Sequence, residues 1–292
     1  MTATALPPTA LAAPARNRRL RVLRPGLALC WLVLALVAVA TLWPHLLASG
    51  DPDATHVTQA LHGPGAAHPF GTDQLGRDVY TRVVHGARIS VTVGVGSTAL
   101  ALGLGAFVGG LASIGGRWVD EALMRVTDVL LAFPGTLLAL LVVAMLGPGT
   151  GHSLIAIGLS AAPGFARLVR GQALAIRDAD YVRTTVTFGR GRLDAYLRHL
   201  LPNALPPLLV LATINVGVSI IAGASLSFLG LGPAAPTAEW GAMLAQGQQF
   251  LGVSWAVAVF PGLAVTATVV AVNVVGRDLQ RRLAGRDRHA RP

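Results

Sequence analysis

The residues able to do chemistry in this 292-residue chain are few, and their spacing does not suit bond-making. All 23 basic residues are arginine. Without lysine there can be no G-x-x-x-x-G-K-[ST] loop, whose lysine must reach the β/γ-phosphates, and no Schiff-base nucleophile. Cys30 is the one cysteine, so an internal disulfide and a C-x-x-C metal or redox site are both excluded. Four of the eight histidines fall between His45 and His68, but no H-x-x-x-H pair or helical E-x-x-H occurs, and a zinc or nickel site is not expected. Serine, histidine and aspartate are scattered without a G-x-S-x-G elbow. What remains are polar groups inside apolar stretches, namely Asp128, Asn215 and Asn273, and one long arginine-bearing segment. Their chemistry is hydrogen bonding, ion pairing and docking. Asp128 is expected to pair with Arg125 one turn away. As an ionisable group in a span it is also a candidate for a translocation path, with Phe133, Pro134 and Asn215. Both asparagines are expected to hydrogen-bond across helices, and Phe133-Pro134-Gly135 to kink the helix that holds it.

The elements that position these residues follow from composition. Hydrophobic residues make up 53% of the chain and charged residues 12%, with a mean hydropathy of +0.61. An ordinary soluble domain is about a quarter charged, so the chain reads as an all-α, polytopic membrane protein. Residues 1–24 form a basic tail rich in Ala, Pro and Thr at its start, expected to be disordered. Apolar runs at 25–48, 89–113, 123–146, 153–166, 205–229 and 253–275 predict six spans, the fourth short for the ~20 residues a crossing needs. The first run is too long for a signal-peptide core and ends with Trp43, an interfacial anchor, so it is expected to be retained. Gly94, Gly96, Gly103, Gly105, Gly109 and Gly110 give the second span a small-residue face for close packing.

Charge orients these spans. With six crossings and the N-terminus inside, twenty of the 23 arginines fall on cytoplasmic segments. They occupy the tail before 25, the second loop (Arg117, Arg125), the segment between the fourth and fifth spans, and the tail 276–292. Arg77, Arg82 and Arg88 alone fall outside, in a loop at 49–88 that also carries Asp51, Asp53, Asp73 and Asp78. That asymmetry is what the positive-inside rule expects, with both termini cytoplasmic. A net charge of +10 is thereby explained by orientation, without a nucleic-acid partner.

The loop at 167–204 is too long and too patterned for a connector. Arg167–Ile176 suits a continuing helix. Asp178 and Asp180 suit the start of another, where carboxylates satisfy free N–H groups and the helix dipole. Tyr181, Val182, Val186 and Phe188 offer apolar surface before the Gly189-Arg190-Gly191 turn. A second amphipathic stretch runs from Leu193 to Leu201 and is expected to end at Pro202. Composition leaves two uses open: a helix lying on anionic lipid, or a docking surface for a protein.

The string DYVRTTVTFGRGRLDAYLRHLLPNALPPL, from Asp180, resembles the EAA loop of bacterial ABC importer permeases. HPFGTDQLGRDVYTRVVHGARISVTVG (His68–Gly94), MRVTDVLLAFPGTLLAL (Met124–Leu140) and LSFLGLG…EWGAML (Leu226–Leu244) are similar to the branch serving dipeptide, oligopeptide and nickel importers, in its C-type subunit. The resemblance spans about residues 20–285 and implies the type I ABC importer permease (MetI-like) fold. It implies that Gly189 is the motif glycine, that Leu201-Pro202 is the closing pair, and that Asp180–Phe188 is a coupling helix docking into an ATPase. The chain departs from the usual E-Y-V-x-A-A in having Asp180-Tyr181-Val182-Arg183-Thr184-Thr185, where two threonines lower helix propensity slightly. The implied partners are a homologous B-type permease, two cytoplasmic ABC ATPases and an extracytoplasmic solute-binding protein. ATP and magnesium would be used by the ATPases, with no cofactor held and no catalysis performed by this chain. Peptides are the expected cargo, ahead of nickel or another small solute. An ion-coupled secondary transporter is the rival class, though it would usually show several acidic groups deep in its spans.

Overall fold

The computed structural model describes residues 25–177 and 201–289, with side chains over 25–174 and 206–282. Within these the chain is helical almost throughout. Helix α1 is Pro25–Leu42, followed by one 3-10 turn at Pro44–Leu46 and another at Val57–Gln59. Next come α2 (Val79–Ile114), α3 (Gly116–Ala132), α4 (Gly135–Leu146) and α5 (Thr150–Arg177). After the undescribed segment come α6 (Leu201–Phe228), the short α7 (Trp240–Gly247) and α8 (Ala256–His289). α1, α2, α5, α6 and α8 are each long and apolar enough to cross a membrane, and α3 with α4 passes the same test only as a pair.

Three helices outrun the apolar stretches that predict them, whereas α1 stops at Leu42, short of the expected 48, and gives way to the turn at Pro44–Leu46. α2 begins ten residues before the expected second span, α5 encloses the weak fourth one at both ends, and α8 continues into the basic tail. Backbone hydrogen bonding carries a helix past the bilayer wherever the flanking residues permit it, and hydropathy registers only the apolar portion. Pro202, expected to stop a helix, lies instead in the first turn of α6, where its missing N–H breaks no internal bond.

α2 and α5 run parallel, with a register close to 60 residues. A Cβ on Gly105 would come 2.9 Å from the Ala166 N, and one on Gly109 would come 2.5 Å from the Ala166 O. The backbones therefore touch where only glycine fits. α6 crosses α2 in the opposite sense, with Gly94 against Ile220 and Gly223 against Val93. α8 is antiparallel to α6 through Gly217 beside Asn273 and Gly276 beside Thr213. These directions gather the C-terminal ends of α2, α5 and α8 with the N-terminal end of α6. Arg167, Arg170, Arg277, Arg281 and Arg282 cluster there, whereas Asp51, Asp53, Asp73, Asp78, Arg77 and Arg82 lie at the opposite end.

That opposite end is a polar cap built over the start of α2. Asp78 caps the helix, accepting from the Thr81 N at 2.8 Å and from the His68 ring at 3.0 Å. Arg82, one turn in and only 1% exposed, donates to the Asp53 carboxylate (2.9 Å) and to the carbonyls of Pro52 (2.8 Å) and Pro236 (3.0 Å). A guanidinium so buried persists because its donors are matched, and it ties two distant loops to α2.

The third span is broken, more sharply than a kink. Phe133 (ψ 141°) and Pro134 (ψ 126°) are both extended, and α3 meets α4 at 94°. A proline disfavours helical backbone at the residue before it and cannot donate to the preceding turn. α4 has 12 residues and is about 18 Å long, well short of the ~30 Å hydrocarbon core.

Candidate functional site

The arginine-rich end carries the first part of the site. α5 ends at Arg177, where the segment 178–200 begins; Asp180–Phe188, the expected docking helix, and Gly189 after it lie outside the described residues. Leu201 and Pro202 are described as the backbone that opens α6. Just before the segment, α5 is bound to α3 by two ion pairs. Arg170 grips Asp120 with both arms of its guanidinium, Nη2 to Oδ2 at 2.6 Å and Nε to Oδ1. Arg167 pairs with Asp128. Asp128 therefore does not bond Arg125, which faces Glu121 at 3.6 Å on α3 itself. The reason is geometric: with α3 turned away from α4, Asp128 looks toward α5, where Arg167 meets it.

The second part is a cleft of about 560 Å³ between the α3–α4 break, α5 and α6. Leu131 flanks the break on one side, Gly135 and Thr136 on the other; Ser160 and Gly164 come from α5, and Asn215 and Ser219 from α6. None of its lining residues is charged. Pro163 within α5 leaves the Leu159 carbonyl without its usual helical donor beside this wall. Of the four path candidates, Asn215 lines the cleft and Pro134 shapes its rim. Phe133 is exposed at the break, and Asp128 stands outside, held by Arg167.

Asn215 is fixed by a polar node between α6 and α2. Its Nδ2 donates to Thr98 Oγ1 (3.1 Å) and to Ser219 Oγ (3.2 Å), and those two hydroxyls lie 3.2 Å apart. The expected interhelical bond is present here. Asn273 behaves otherwise: its Nδ2 donates to Val269 O on its own helix at 2.9 Å, since it lies against Gly217, which offers no side-chain acceptor. The cleft can thus hydrogen-bond the amide groups of a polar solute from hydroxyls and one carboxamide, without offering a full charge.

Sequence reasoning missed Asp120, Arg167 and Arg170 as partners, and Thr98, Ser219 and Glu239 altogether. Glu239 is 3% exposed and caps α7, accepting from Gly241 N (2.9 Å), Ala242 N (2.8 Å) and Ser90 Oγ (3.0 Å). A signal existed: Glu239 precedes Trp240 in an uncharged loop, where an isolated carboxylate needs a partner.

A helical membrane permease of type I ABC importer architecture is the class that this arrangement defines. An inward-facing crystal form of the MetNI methionine ABC transporter superposes with a TM-score of 0.55 at 20% identity, covering 68% of this chain and 95% of that one. At that identity the likeness is one of fold. Over 265 residues the chain is 42% identical to a peptide transport system permease protein of Brucella suis biovar 1, covering 91% of this chain and 88% of the relative. It is 39% identical over 250 residues to the dipeptide transport system permease protein DppC of Alkalihalophilus pseudofirmus, with 85% and 82% covered. Residues 101–288 match the family described as binding-protein-dependent transport system inner membrane component. The chain belongs to that family of ABC transporter permeases and is a multi-pass protein of the bacterial cytoplasmic membrane.

Proposed function

We propose that this chain is one of two permease subunits of an importer that moves dipeptides or oligopeptides into the cell, driven by ATP hydrolysis on partner subunits. The observation that carries this reading is the identity to peptide-transport permeases over 91% and 85% of the chain. The arginine-rich end faces the cytoplasm, and the segment 178–200 docks there on one of two ABC ATPases through Asp180, Tyr181, Val182, Arg183, Thr184, Thr185 and Phe188. Gly189 forms the turn behind them. ATP and magnesium belong to those ATPases; this chain is non-catalytic. The half-open cleft supports the need for a homologous B-type permease, because one subunit's wall cannot by itself enclose a passage. An extracytoplasmic binding protein delivers the solute and sets most of the specificity. The Asn215 node and the neighbouring hydroxyls suit the repeating amides common to all peptides, whatever their side chains.

The test is uptake of a labelled dipeptide into proteoliposomes holding both permeases and both ATPases, with binding protein outside and ATP inside. Uptake that requires ATP and binding protein, and survives collapse of ion gradients, is the expected result. Uptake that persists without the ATPases and follows a proton or sodium gradient would overturn it.

A further inference from the structure

The two ion pairs at the arginine-rich end have a mechanical consequence. Asp120 and Asp128 lie eight residues apart on one side of α3, and Arg167 and Arg170 lie three apart on α5, eleven and eight residues before the segment 178–200 begins. A bidentate arginine–carboxylate pair fixes angle as well as distance, so Asp120 with Arg170 resists rotation between the helices, and Asp128 with Arg167 adds a second point of attachment. α3 also packs against the end of α2 and buries Thr127, but its remaining surface is open. Trp118, Val126 and Val129 on its other side are 83%, 60% and 60% exposed. α4 differs: Ala139 and Val143 are buried in a cluster with Val93, Ala156, Ile157 and Leu226. Only the non-helical step through Phe133 and Pro134 joins the two helices, at 94°. Leu131 and Gly135, on either side of that step, are both cleft walls.

We propose that the Asp120–Arg170 and Asp128–Arg167 pairs are a clamp that makes α3 follow this end of α5, so that displacement of that end swings α3 about Pro134 and reshapes the cleft. The clamp rests on the proposed docking of the segment 178–200 to an ATPase. These four are positioning residues: they reach the cleft only through the hinge. Such coupling needs an element with two arrangements, and here that element is α3 against a packed α4.

The test uses the full reconstituted importer, with Cys30→Ser as background and spin labels at Val126→Cys on α3 and Leu141→Cys on α4, both exposed. In the otherwise native chain the label distance should differ between the nucleotide-free and the vanadate-trapped complex. Asp120→Arg and Arg170→Asp should each lower uptake about tenfold and abolish the distance change, while ATP hydrolysis by the assembled complex continues. The exchanged pair, carrying both reversals, should regain uptake and the distance change. Single reversals that transport normally, or an assembled exchanged pair that regains neither, would overturn the clamp. A native complex that takes up peptide without ATP hydrolysis would instead remove the docking reading beneath it.

Discussion

Asn215 and Glu239 are both polar residues among apolar helices, yet their surroundings predict different outcomes on removal. Asn215 shares its node with two hydroxyls that can bond each other, and Thr98 also donates to the Gly94 carbonyl at 2.9 Å. Asn215→Leu therefore leaves no group stranded and should cost about 1 kcal/mol or less, measured by unfolding in mixed micelles. Its uptake should fall by much more than that small loss implies, because a cleft wall has lost its carboxamide; unchanged transport would take Asn215 off the route. Glu239 has no such fallback. Glu239→Ala strands two backbone N–H groups and the Ser90 hydroxyl and should destabilise by about 2 kcal/mol. Glu239→Gln keeps one acceptor oxygen and should lose roughly half as much.

At the scale of the element, the glycine face of α2 separates into two kinds of position that look alike in sequence. Gly105 and Gly109 meet the α5 backbone, whereas a Cβ on Gly103 would find nothing within 4 Å. Gly109→Leu should force α2 and α5 apart and destabilise by about 2 kcal/mol, since overpacked cores typically cost this much. Gly103→Leu should leave the melting temperature in detergent almost unchanged or slightly raised, as leucine is the better helix former. Equal effects of the two would mean that the parallel α2–α5 register is wrong. The broken third span belongs to the same scale. The Pro134 signal was legible as a kink, but the angle depends on what each half packs against: α4 on an apolar cluster, α3 on the end of α2 and two arginines of α5. Part of each set, Val93 and Leu226 for α4 and Arg167 and Arg170 for α3, lies far along the chain.

For the whole molecule the prediction concerns sidedness and coupling. In a Cys30→Ser background, a cysteine at Leu46, which is 74% exposed in the cap, should react with a membrane-impermeant maleimide added to intact cells. A cysteine at Trp118, 83% exposed near the arginine-rich end, should react only after permeabilisation. Reversed labelling would place the segment 178–200 on the wrong side for any ATPase. Given the expected sidedness, Gly189→Trp and Tyr181→Asp should each abolish ATP-driven uptake while membrane insertion, read by the same labelling, stays normal. Uptake that is unaffected in both would argue strongly against docking through that segment.

The number of apolar stretches, the crowding of arginine on alternate connections and the patterned segment after the fourth stretch were all legible from the sequence. Each is a local property: hydropathy and charge are carried by the residues themselves, and a bilayer responds to them wherever they fall. The partners of Asp120 and Asp128, by contrast, lie 50 and 39 residues away. Whether Asn215 or Asn273 reaches across to another helix likewise turns on what stands opposite each one. Such choices follow from how helices are rotated and directed against one another, and contacts summed over whole faces set that rotation. Only the assembled bundle decides it.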